Sequence, residues 1–164
     1  MRFAKGLLVV LLLVTAAGCS KFKTYDGPEV TQIIVNKNDR RMFLMHHDKV
    51  LKYYDVELGF TAEGHKQFEG DGKTPEGDYI IDRRNPNSSF YLSLGVSYPN
   101  EEDRAFAKAA GKSPGGDIFI HGRPNGKVRN PGADWTAGCI SVSNRQMRNI
   151  YAMVKTGTPI RITP

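Results

Sequence analysis

Two residues of the types that nucleophilic chemistry uses each stand where an apolar run of this sequence meets a loop. Cys139 lies in DWTAGCIS (134–141) and His121 in GDIFIHGRPNG (116–126). A cysteine attacks as its thiolate, and a neighbouring imidazole lowers the thiol pKa or takes its proton. The run 117–121 delivers His121 and breaks at Gly122, while Cys139 opens the run CISV. A polar, Gly- and Pro-rich loop joins them, so the two side chains can face each other across one cleft. Beside His121 the thiol is expected to fall below its free value of about 8.5. Gly138 lets another backbone come close, and the amides of 137 to 139 are placed to hold a developing oxyanion. His121 then returns a proton to a leaving amine.

Each residue also has a plainer reading. Cys139 suits a small buried hydrophobe. Thr136 either shapes the turn before Cys139 or assists the chemistry, and Trp135 either anchors the loop or walls the cleft. His46, His47 and His65 sit among charged or turn residues, as solvated side chains do. A zinc site built from Cys139, His121 and one of these lacks any closely spaced ligand pair, so neither metal nor cofactor is expected.

The start of the chain bears on the thiol. MRFAKGLLVVLLLVTAAGCS has a basic opening (Arg2, Lys5), an apolar run from Gly6 to Val14 and small residues leading into Cys19. That is the layout of a secretory signal, too short and abruptly ended for a spanning helix. It resembles a bacterial lipobox, with Ala16 where Leu is commoner. The expected organisation is a signal peptide over 1–18, a lipidated tether over 19–28 and one domain over 29–164. The chain has two cysteines. If Cys19 carries lipid, Cys139 is an unpaired thiol in an oxidising compartment. Ser20 in place of Asp favours the outer membrane, so a periplasmic, lipid-anchored protein is expected.

The chain has 164 residues and a formal charge of +6, of which Arg2 and Lys5 belong to the leader. The rest is scattered, with no basic block or aromatic-interleaved stripe, which argues against nucleic acid. The elements read mostly as strands: Val30–Asn36, Met42–His46, Val50–Leu58, Asp78–Asp82, Phe90–Val96, Asp117–His121, Cys139–Val142 and Pro159–Thr163. Two helices interrupt them. One follows Asn100 with acidic residues in its first turn and Gly111 at its end; the other starts at Ser143 or Asn144 and is stopped by Gly157. Many strands and two short helices predict a mainly β, sandwich-like or barrel-like domain.

The wording of the motif says more than its spacing. His121-Gly122, followed after an intervening loop by Thr136-Ala137-Gly138-Cys139-Ile140, closely resembles the signature of the L,D-transpeptidase (YkuD-like) catalytic domain. GDGKTPEGDYII (70–81), LGVSYPN (94–100), the DIFIHG strand and GTPIRI (157–162) resemble that family's other blocks in the same order, over roughly residues 29 to 163. The resemblance implies a β-sandwich with a cysteine and histidine in a covered cleft, acting on peptidoglycan stem peptides. The cysteine attacks the carbonyl of the third residue, a diamino acid, and expels a D-alanine. The acyl group then passes to an amine, in a cross-link or an anchored protein, or to water in carboxypeptidase or amidase activity. By position Cys139 is the nucleophile and His121 the base. Gly122 supplies the carbonyl that orients the imidazole, and Gly138 and Cys139 the oxyanion amides, with Thr136 in support. Two positions depart from the family. Ser141 stands where many members have Arg, and Ala137 where they often have His. A carboxylate partner must then come from Arg123, Arg129 or Arg145, with Trp135 and Ser141 as further substrate-side candidates. The implied partners are stem peptides, the membrane through the lipid on Cys19, and a wall-anchored protein as acceptor or substrate. The alternative class is an inactive lipoprotein that only holds stem peptides.

Overall fold

The computed structural model describes residues 21–126 and 132–164. The leader, Cys19 and Arg129 lie outside them. Eight strands form one sheet, β1 (Gln32–Asn36), β2 (Arg41–His46), β3 (Lys49–Asp55), β4 (Gly77–Asn85), β5 (Ser93–Val96), β6 (Phe119–His121), β7 (Ile140–Ser141) and β8 (Pro159–Thr163), in the order β3-β2-β1-β8-β4-β5-β6-β7. The expected mainly β fold is present, with its layers made by curling one sheet.

β4 turns the corner. Its first half, Gly77–Ile80, pairs with β8, and its second half, Ile81–Asn85, pairs with β5, with a register shift between Ile81 and Arg83. Such an irregularity bends a strand and lets it serve two layers. The outermost strands, β3 and β7, are then brought together. After β3 the chain runs on to Glu57, which exchanges both backbone hydrogen bonds with Ser141 (2.8 and 2.9 Å), and to Gly59, which bridges Thr136. This explains why the strand expected over Val50–Leu58 ends at Asp55: residues 56 to 59 leave β2 to cover the opposite edge.

Alternation supplies the core. Ile33 and Val35, Met42 and Leu44, and Ile160 and Ile162 point inward from β1, β2 and β8 and meet Ile81, Leu94, Val96, Ile120 and Ile140. Two helices, α1 (Glu101–Ala109) and α2 (Asn144–Met153), each begin with a reciprocal capping box, Asn100/Asp103 and Ser143/Gln146. α2 ends before Gly157, because Val154 turns to extended backbone to bury its side chain. Gly157, at φ +91°, instead makes the turn into β8.

From Lys21 onward the chain already lies on the domain. Lys21 Nζ donates to the Pro86 carbonyl (2.6 Å), Lys23 Nζ to Asn149 Oδ1 (3.1 Å), and the Phe22 ring packs near Tyr151.

Candidate active site

β6 and β7 run parallel with Ile120 opposite Ile140 and His121 opposite Ser141. Ile120 and Ile140 enter the core, so by the two-residue period Phe119, His121 and Cys139 fall on the other face. His121 and Cys139 line one cleft of about 350 Å³ with Asn85, Ser88, Phe90 and Asp117.

The imidazole is held on several sides. His121 Nδ1 lies 2.7 Å from the Gly122 carbonyl oxygen. A carbonyl only accepts, so Nδ1 carries the proton and the neutral ring keeps its lone pair on Nε2. Phe90 packs against the ring (centroids 4.6 Å) and Trp135 meets it edge-on (5.6 Å). Gly122 has no room for a side chain: a Cβ there would stand 2.6 Å from Asn144 Oδ1 and 3.0 Å from the Phe90 carbonyl.

The cysteine sits on a braced turn. Thr136 Oγ1 donates to the Cys139 carbonyl (2.6 Å) and accepts from the Gly138 amide (3.2 Å). Gly138 is at φ +132°, and a Cβ on it would lie 2.6 Å from the Lys73 carbonyl. The loop carrying Lys73 is pinned in turn. Asp71 accepts from the amides of Gln67, Phe68 and Lys73 and from buried Lys66. These bonds outweigh its burial and bring its pKa down to about 2. Lys37, also buried, reaches the Gly64 and Thr74 carbonyls and Glu76.

Burial decides the protonation of the pair. It pushes the Cys139 thiol up, with Asp117 adding to the effect, against a main-chain hydrogen bond from Phe119 and the charge of Lys66. It pushes His121 down, helped by Arg123, against the Gly122 hydrogen bond. The expectation of a lowered thiol pKa is therefore corrected: both groups are neutral near pH 7. Cys139 Sγ points to the Asp117 carbonyl at 3.4 Å.

A family model described as the L,D-transpeptidase catalytic domain matches residues 30–162. The chain belongs to the L,D-transpeptidase catalytic domain family. YkuD of Bacillus licheniformis is 27% identical over 138 residues, 81% of this chain and 66% of that protein. The helical cell shape determining protein Pgp2 from Campylobacter jejuni is 28% identical, with a TM-score of 0.62 over 84% of this chain and 49% of that one. The Enterococcus faecium L,D-transpeptidase C442S mutant, 18% identical with a TM-score of 0.53, shares the fold over 83% of this chain and 50% of its own. This chain thus spans about half of those two solved chains.

Within this L,D-transpeptidase domain the candidate residues separate. His121, Gly122, Thr136, Gly138 and Cys139 come together around the cleft, and Trp135 packs on His121 and faces the Arg123 guanidinium at 5.8 Å. Ser141 is fully buried with no hydrogen-bond partner for its Oγ among the described residues. Arg145 is exposed in the first turn of α2. Arg123 stands 3.8 Å from Glu57 Oε1, and its amide is held by Asn144 Oδ1 (2.7 Å). Sequence reasoning missed Phe90, Asn144 and Asp117. Phe90 was expected in a strand, but its carbonyl takes the Gly122 amide and Tyr91 turns to φ +70°, so β5 begins only at Ser93. Asp117, at φ +54°, likewise falls outside β6. His65 is not solvated as expected: its Nδ1 accepts from the Glu76 amide and its Nε2 meets Asp103 Oδ1, both at 3.0 Å.

Proposed function

We propose that the protein is a cysteine acyltransferase of the bacterial cell wall, acting on peptidoglycan stem peptides with Cys139 as nucleophile and His121 as base. One observation carries the reading: a partly exposed thiol and a buried imidazole share one cleft, and the imidazole's tautomer is set by the Gly122 carbonyl. A domain that only bound peptides would not need that tautomer.

Because the pair starts neutral, the proton leaves Sγ for Nε2 as sulfur closes on the carbonyl of the third residue. The new C–S bond puts negative charge on the carbonyl oxygen. The Gly138 amide already serves Thr136, so the Cys139 amide, with no acceptor among the described residues, is the donor this oxygen meets. Removing one such donor costs about 10²–10³ in rate in other enzymes. The imidazolium then protonates the departing amine of the fourth residue, leaving a thioester. An amine that attacks the thioester gives a cross-link or an attached protein; water gives a shortened stem. Of Arg123 and Arg145, the two candidates among the described residues, Arg123 is the better placed to meet a substrate carboxylate, since it stands against Trp135 beside His121.

The test is incubation of purified protein with muropeptides, weighing the products, with Cys139→Ser in parallel. Cross-linked dimers or shortened stems from wild type alone support the reading; no change with wild type would leave a binding module. Intact mass after exposure to a carbapenem gives a second readout, with an adduct on wild type and none on Cys139→Ser. The same reading has Cys19 acylated after export and the protein held at the outer membrane. Cys19→Ala then releases it to the soluble fraction, and unchanged attachment would refute the anchor.

A further inference from the structure

Among the described residues lining the Cys139 cleft, Asp117 is the one carboxylate and there is no lysine or arginine. Its main-chain carbonyl is the group that Sγ touches, at 3.4 Å, and its side chain is 88% exposed. Its nearest cation among the described residues compensates it only in part. Arg83 pairs with Asp117 (3.1 Å) but also with Asp82 (2.8 Å), so two carboxylates share one guanidinium that also lies over the Phe119 ring. The Asp82 Oδ1 atom is buried with no hydrogen-bond partner among the described residues. An exposed pair such as Arg83–Asp117 holds weakly and yields to a better partner. Lys66 is committed to Asp71, and Arg123 stands by Trp135 and Glu57. Among the described residues the mouth of the cleft therefore carries two carboxylates against one guanidinium beside the sulfur.

We propose that Asp117 is an ammonium subsite, receiving the primary ammonium of a diamino acid or an amine acceptor as it reaches Cys139. The proposal rests on the stem-peptide reading above and names the charge that reading must recognise. It has a chemical consequence. A bare carboxylate at the mouth opposes a thiolate, and a bound ammonium cancels that opposition, so a substrate of the right class helps to activate its own nucleophile.

Asp117→Asn tests this without altering shape. Asn is tolerated at positive φ as Asp is, and the carbonyl facing Sγ is retained. Iodoacetamide labelling of Cys139 is followed by peptide mass, which separates it from Cys19. With no ligand, Asp117→Asn is expected to label about three- to tenfold faster than wild type at pH 8, because removing the carboxylate charge favours the thiolate. Protection is then measured with L-Ala-γ-D-Glu-L-Lys-D-Ala and with its Nε-acetyl form. Wild type is expected to prefer the free amine by about three- to tenfold, and the variant to lose that preference. A preference seen only for a separate acceptor, L-lysine amide, and abolished in the variant assigns the subsite to the acceptor. An equal preference in both proteins, or no preference for any amine in wild type, overturns the proposal. If neither peptide protects wild type, the stem-peptide reading falls. The subsite is then judged by L-lysine amide alone, whose protection of wild type but not of the variant upholds it and whose equal or absent protection overturns it.

Discussion

The turn that carries Cys139 hangs on one hydroxyl. Thr136 is 4% exposed, and its Oγ1 serves both the Cys139 carbonyl and the Gly138 amide. Thr136→Val keeps the branching and removes both bonds. An unpaired buried polar group costs about 1–3 kcal/mol. Two such groups would cost about 2–6 kcal/mol, and a figure of about 3 allows for water reaching the carbonyl beside the partly exposed cysteine. For a domain of this size 1 kcal/mol lowers Tm by roughly 2–4 °C, so a fall of about 6–12 °C is expected by calorimetry. Thr136→Ser retains the hydroxyl and should lie within about 1 kcal/mol of wild type. The valine variant should also lose turnover by more than its folded fraction explains, because the Gly138 and Cys139 peptide planes set both sulfur and oxyanion donor. A valine variant that melts within about 2 °C of wild type and turns over normally would refute the brace.

The raised thiol and lowered imidazole predict that Cys139 labelling climbs with an inflection above that of a free thiol, about 8.5, with no thiolate absorbance near pH 7; an inflection below about 8.5 would restore the lowered thiol expected from sequence. Asp71→Ala strands buried Lys66 without its carboxylate, which costs about 3–5 kcal/mol in comparable cases and should show as a lower urea midpoint. In wild type the depressed Asp71 pKa gives stability that is present above about pH 4 and is lost as pH falls towards 2; acid titration of the melting point measures it. Gly138→Ala puts a methyl 2.6 Å from the Lys73 carbonyl at a φ that side chains avoid, so turnover and stability should fall together, the latter by at least about 1–3 kcal/mol on denaturant unfolding. Arg123→Gln should raise KM for a tetrapeptide stem roughly ten- to a hundredfold, the scale of one charged hydrogen bond, with kcat little changed; a normal KM would remove Arg123 as the carboxylate's partner.

The strands were legible because their alternation serves one core, as in Ile33 and Val35 of β1 or Ile160 and Ile162 of β8. The pairing of His121 with Cys139 was legible for the same reason, since the parity that buries Ile120 and Ile140 sends both reactive residues the other way. Positions set by a long-range backbone contact were not legible. Phe90 and Asp117 stand in apolar runs that read as strand, yet Phe90 gives its carbonyl to Gly122 and Asp117 adopts a left-handed backbone. Nothing local announces either one.

The protonation state failed for a further reason. Sequence shows that an imidazole and a thiol can meet, but not how much water is left around them. The structure covers His121 with Phe90 and Trp135 and commits Nδ1 to a neutral carbonyl, not to a carboxylate. A carbonyl fixes the tautomer without offering the full negative charge that would sustain an imidazolium at rest. The imidazole is thus oriented and still uncharged. In the mechanism we propose, proton transfer waits until the substrate carbonyl begins to accept the electrons of sulfur, or until a positive charge arrives at the mouth. A thiol kept protonated in this way is also a slower target for oxidants, since oxidation follows thiolate character.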